Sequence, residues 1–120
     1  MNYIFNSTAV QSSGIYRYET ISYSYAVEWI HEKHKLNEPP LRNLINCISC
    51  RNTVKALSNY LEFDIEQIPF VSSIGLNLSR FEEALIFQLF TPLKQDVDIV
   101  SFIEQNSRIG ILEMLASLDD

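Results

Sequence analysis

A chain of 120 residues, 47% hydrophobic and 20% charged, holds enough apolar material for one packed core and too little length for a second domain, so disorder is excluded. The net charge of -6 argues against a general nucleic-acid binder, whose affinity comes from Lys and Arg on phosphates, so no DNA partner is expected. There is neither an apolar run of membrane-spanning length nor a charged n-region followed by an apolar stretch, so no membrane association is expected and the cytoplasm is the default location.

The chain opens with "YIF", a short apolar strand, followed by the hydroxyl-rich loop "NSTAVQSSG". "IYRYETI" alternates and is rich in aromatic and β-branched residues, which predicts a second strand. Ser22 or Ser24 can cap a helix reaching residue 35, with Tyr23, Ala26, Val27 and Ile30 at helical spacing and Trp29 beside them. Two prolines in "LNEPP" end it. An apolar run over 44–48, with Asn46 inside, predicts a central strand, and it leads into a helix over 52–61 whose buried stripe is Val54, Leu57 and Leu61. "IEQIPFVSSIGLNL" reads as an edge strand or two short pieces, given Pro69 and Gly75. "EALIFQLF" is nearly all apolar, as in a strand buried on both faces. Asp96 or Asp98 can cap a third helix to about residue 105, and "IGILEML" closes the chain as a strand. The fold class expected is α/β: one domain over 1–120, with a mixed sheet of about five strands covered by two to three helices.

Cys47 and Cys50, the two cysteines of the chain, form a C-x-x-C. Zinc needs about four ligands, and the only further candidates are His31 and His34, an i,i+3 pair common on solvated helix faces, so no metal is expected. A redox pair would place its first cysteine at the helix start. Cys47 instead falls within the predicted strand, as a small buried hydrophobe. The loop "SCRNT" joins a strand end to a helix start, where backbone N–H groups and Arg51 can receive an anion. The simpler account is that Ser49 or Asn52 caps the helix.

"YIFNSTAV", "GIYRYETIS", "LINCISCRNTVKALSNYL" and "EEALIFQL" resemble, in sequence and order, the viral anti-CRISPR ring nucleases that degrade cyclic tetra-adenylate, together with their bacterial, plasmid and phage relatives. The central segment of that family reads like L-I-N-A-I-G-H-D-S-T, and Leu44, Ile45, Asn46, Ile48 and Thr53 match it. The resemblance implies a homodimer enclosing a cyclic oligonucleotide at the subunit interface, in the host cytoplasm if the protein is viral, with no cofactor. It implies metal-independent cleavage, in which a ribose 2'-hydroxyl attacks the neighbouring phosphate and a histidine protonates the leaving oxygen, as suits a side chain titrating near neutrality.

The sequence departs from that pattern at its catalytic positions. Cys50 stands at the histidine, Ser49 at the preceding glycine, and Arg51 at the following aspartate. "SS", Ser72 and Ser73, replaces an Asn-Arg pair, Pro92 stands at an arginine, and a glutamate falls near Gln95. A thiol at a helix start tends toward thiolate, which has no proton to donate. The resemblance therefore implies a protein that captures a cyclic nucleotide rather than cutting it, a sponge or sensor in anti-phage signalling. Asn6, Ser7, Ser49, Cys50, Arg51, Asn52 and Thr53 are the ligand-contacting candidates, against turn and capping chemistry for the same residues. A slow ring nuclease using Tyr16 or His31 as acid is one alternative. An adaptor presenting Tyr16, Tyr18, Tyr23, Tyr25 and Trp29 to a protein partner is another.

Overall fold

A computed structural model describes residues 1–7, 14–35, 43–74, 76–94 and 96–117. Five strands form one mixed sheet: β1 (Asn2–Phe5), β2 (Gly14–Thr20), β3 (Leu44–Asn46), β4 (Glu83–Leu89) and β5 (Ser107–Ser117), in the spatial order β2-β5-β4-β1-β3. β1 lies between β3 and β4 and runs parallel to both, whereas β5 runs antiparallel to β4 and β2. Ala84, Leu85, Ile86 and Phe87 of β4 are all fully buried, as the unbroken apolar run predicts for a strand covered on both faces. β2, at the sheet edge, alternates between half-buried and exposed.

Three helices, α1 (Tyr23–Lys35), α2 (Arg51–Leu61) and α3 (Ile99–Asn106), all pack on one face of the sheet. There Ala26, Trp29, Ile30, Val54, Leu57, Leu61 and Ile103 meet Ile4, Leu44, Leu85, Phe87 and Ile109. Ser22 caps α1, its Oγ accepting from the Tyr25 N–H at 3.2 Å. The buried Trp29 indole donates to Glu83 Oε2 at 3.0 Å, tying α1 to the start of β4. Asn2, also buried, donates to the Asn43 side chain at 3.0 Å and accepts from the Glu83 N–H at 3.3 Å, fixing the three parallel strands at their amino ends. α3 has Asp98 at its N-cap position, where the carboxylate accepts from the Ser101 hydroxyl at 2.8 Å. It passes into β5 with no intervening loop.

The opposite face buries Tyr3, Phe5, Cys47, Ala84, Ile86 and Leu112. No helix among the described residues covers them; Leu76 and Leu78 of the segment after α2 do. This corrects the edge strand expected from "IEQIPFVSSIGLNL". Asp64 Oδ1 accepts from the Glu66 N–H at 3.0 Å and starts a 3-10 turn, Ile65–Gln67. Among the described residues the segment beyond it pairs with the sheet backbone at isolated bridges, Asn46 with Phe70 and Arg80 with Met114. Pro69 has no N–H for a ladder, and one contact cannot propagate past it.

Candidate functional site

The parallel arrangement of β1, β3 and β4 brings their carboxyl ends to one edge of the sheet. In open α/β sheets this edge, where neighbouring connections diverge, is where ligands bind. Asn6 and Ser7 follow β1 there and are exposed. The 47–50 loop follows β3, and residues 90–93 follow β4. The start of β5 arrives at the same edge, because Leu89 pairs with Ser107 and Gln88 with Arg108.

Asn46 sets the course of the loop. Its buried side chain accepts from the Ile48 N–H at 2.9 Å and donates to the Ile48 carbonyl at 3.3 Å. Its backbone donates to the Pro69 carbonyl at 2.9 Å and accepts from the Val71 N–H at 3.0 Å. A polar side chain that satisfies both backbone groups two residues on ends the strand and turns the chain toward α2. The strand accordingly stops at Asn46, before the expected end at residue 48.

Cys50, rather than Ser49 or Asn52, occupies the N-cap position of α2, with no side-chain cap hydrogen bond. Its carbonyl accepts from the Val54 N–H at 3.0 Å, and the first turn begins immediately. The thiol is exposed. The Thr53 hydroxyl, followed by the backbone N–H groups of Thr53 and Asn52, holds its pKa below the ordinary cysteine value. Cys47 is the reverse case: burial on the helix-free face pushes its thiol up to about 11. The two thiols therefore lie in opposite environments and make no disulfide. Neither joins His31 and His34, which sit edge-on to Phe63 at centroid distances of 5.2 and 5.0 Å on the helix side. Alkylation by iodoacetamide is expected to modify Cys50 alone in the folded protein. The midpoint of its pH–rate profile should lie lower than that of an exposed cysteine without these neighbours, with Cys47 reacting only after unfolding. Mass spectrometry of the quenched protein reads both.

The segment 49–53 stands between two clefts; it is not all loop, since α2 begins at Arg51 and takes Arg51, Asn52 and Thr53 into its first turn. Cys50, Asn52 and Thr53 open on one of about 480 Å³, whose other wall is Leu89, Phe90, Thr91, Pro92 and Leu93. Ser49 and Arg51 open on another of about 410 Å³, with Asn46, Ile48, Glu66, Ile68 and Phe70. Arg51 Nε lies 3.7 Å from Glu66 Oε1, in a pair whose side chains are 78% and 48% exposed. So open an ion pair contributes about 0–1 kcal/mol and yields readily to a stronger anion. Asn6 and Ser7 share the edge but line neither cleft. Pro92 lies across from Cys50 and supplies no donor. Ser72 and Ser73 are exposed in the coil after the Phe70 bridge, with Ser72 Oγ accepting from the Ile74 N–H at 3.3 Å. Gln95 lies outside the described residues.

The other expected acids are far from this edge. His31 packs on Phe63, beyond the C-terminal end of α2, whereas Cys50 precedes its start, and an eleven-residue helix spans roughly 16 Å. Tyr16 pairs with Met114, six positions along β5 from Arg108, a separation of roughly 20 Å in a strand. The aromatic-rich stretch does not form one surface either. Trp29 is buried, Tyr23 packs edge-on against Tyr60 at 5.0 Å, Tyr18 lies over Gly110, and Tyr25 is exposed.

Two residues outside the ligand-contacting candidates also lie at this edge. Asn46 had a visible signal, a lone polar residue inside an apolar run. Arg108 had none, since only the pairing of β4 with β5 brings it beside Phe90, where its guanidinium carbon lies 5.9 Å from the ring centre.

No protein-family model matches the chain, and no curated protein does. Among the described residues no helix is long and apolar enough to cross a membrane. Among solved structures, B116 of Sulfolobus turreted icosahedral virus superposes with a TM-score of 0.73, covering 93% of this chain and 97% of that one at 12% identity. At that level of identity, what this chain has in common with the viral protein is its fold.

Proposed function

We propose that the protein binds a cyclic oligonucleotide second messenger, cyclic tetra-adenylate or a close relative, and sequesters it without efficient cleavage in CRISPR or other anti-phage signalling. The observation that carries this reading is the meeting of the 49–53 loop with residues 89–93 across an open cleft at the carboxyl edge of the parallel strands. The start of α2 there offers backbone N–H groups to a phosphate. An exposed thiol with a lowered pKa stands at the mouth, where a cleaving member of the resembling family would hold a proton donor. A cysteine there replaces the side chain whose titration near neutrality suits it to proton donation, and loss of a general acid alone costs about 10²- to 10⁴-fold in rate. The fold in common with a viral protein supports a role on the virus–host boundary.

The ligand would lie between two copies of the chain. Phe70, Val71 and Phe90 are 54%, 42% and 61% exposed; the first two lie beside Asn46 at the end of β3 and the third follows β4. Apolar side chains there support closure by a second subunit.

The test is to incubate the purified protein with labelled cyclic tetra-adenylate and other cyclic oligonucleotides, measuring retention and product together. Retention of intact ligand by a dimer is the expected result. Rapid turnover would make the protein a nuclease, and failure to retain any cyclic oligonucleotide would overturn both. Arg51→Ala is expected to weaken binding several-fold while changing stability by less than about 1 kcal/mol. Unchanged binding would remove Arg51 from the site.

A further inference from the structure

A ligand carrying several phosphates brings several negative charges to a protein whose own net charge is -6, so its site needs a cation within reach. Cys50, Asn52, Thr53 and residues 89–93 include none. Arg51 opens on the other cleft, where its loose pair with Glu66 leaves it to serve that side of the site only. We infer that Arg108, presented by the first residues of β5, is the phosphate-contacting cation of the Cys50 cleft, and that Phe90 is the ring on which an adjoining base stacks. This rests on the cyclic-oligonucleotide reading above.

Several independent features place Arg108 for that task. Pairing of Gln88 with Arg108 puts it at the carboxyl end of β4, one residue before the Leu89–Phe90 wall of the cleft. Its guanidinium carbon lies 5.6 Å from the Tyr18 ring centre and 5.9 Å from that of Phe90. Its one hydrogen bond among the described residues is a long one, 3.4 Å to Gln88 Oε1. Glu104 lines the same neighbouring groove, but no described carboxylate comes within 4.0 Å of Arg108. Arg17, by contrast, is paired with both Glu19 and Glu113. A planar guanidinium bounded by two aromatic rings loses little freedom when it takes up a phosphate. Phe90, 61% exposed, lines both the Cys50 cleft and the groove containing Arg108. It therefore connects the cation to the site and offers its other face to a base.

The experiment titrates the full-length protein with labelled cyclic tetra-adenylate across a range of salt concentrations, comparing wild type with Arg108→Ala, Arg108→Lys and Arg17→Ala. Arg108→Ala should bind roughly 10- to 100-fold more weakly, the range for a charged hydrogen bond, with a salt slope shallower by about 0.7. Arg108→Lys should restore the slope but only part of the affinity, because it keeps charge without the planar fork. Arg17→Ala should bind within about twofold of wild type, since its charge is already compensated. Thermal melts confirm that each variant is folded. If wild type binds and Arg108→Ala binds equally well, or if Arg17→Ala loses as much, this inference is wrong and the functional reading stands. If wild type retains no cyclic oligonucleotide, the functional reading fails and takes the inference with it.

Discussion

Cys50→His is expected to raise cleavage of cyclic tetra-adenylate by about 10²- to 10⁴-fold over wild type in single-turnover assays, with ligand retention unchanged at early times. The magnitude is that of a positioned general acid. Cys50 is exposed and stands at the N-cap of α2 without a side-chain cap bond, so an imidazole can extend into the open cleft. The gain should fade as pH rises past about 6.5, where an unperturbed histidine loses its proton. A variant that binds as tightly as wild type yet cuts no faster would show that the loop does not hold a side chain against the leaving oxygen, and the proposed geometry would be wrong.

The second large effect concerns the sheet that carries Arg108. A Cβ on Gly110 would lie 2.5 Å from both the ring carbon Cζ and the hydroxyl oxygen of Tyr18, and 2.7 Å from the backbone carbonyl of Glu19. Tyr18 could swing, but the carbonyl belongs to a strand already in register, with Thr20 opposite Gly110 and Glu19 opposite Ile111. Gly110→Ala should therefore cost about 1–3 kcal/mol, as overpacking in a closed environment does, and lower the thermal midpoint by roughly 5–15 °C. Tyr18→Phe serves as its partner experiment. The Tyr18 hydroxyl is buried and has no hydrogen-bond partner among the described residues, so removing it is expected to leave stability unchanged or raise it. If Gly110→Ala melts with wild type, the ring and carbonyl are not held where the structure places them.

What the sequence disclosed follows from where a single residue's neighbours in the chain are also its neighbours in space. The buried strand β4, the amphipathic α2 and the fate of Cys47 are all of that kind, because four consecutive apolar residues, a helical stripe and a thiol within an apolar run each announce burial. The 3-10 turn at Ile65–Gln67 and the coil beyond it resemble, in sequence, an edge strand or two short strand pieces. β-branched and aromatic residues on either side of Pro69 imitate the strand pattern, and only the lack of a partner beyond the Phe70 bridge distinguishes them. The candidate loop was legible as one segment but not as a partition. Residues alternate in direction around the start of α2, so Arg51 opens on one cleft while Cys50, Asn52 and Thr53 open on another. The place of Arg108 was not legible at all, since strand order is a tertiary property that periodicity does not encode.

The position of β1 also governs how the chain must assemble. Asn2 is in register with Leu44 on one side and Glu83 on the other, partners 42 and 81 positions away. β1 is thus flanked by strands that come much later in the chain, and β5 is needed to join β2 to the rest. Pairings this remote in sequence must be reached before much of their loop-closure cost is returned, which puts the protein among slower-folding small domains. A nascent chain ending anywhere before β4 has no second parallel partner for β1, so the edge that carries the site cannot come into being until β4 has been made.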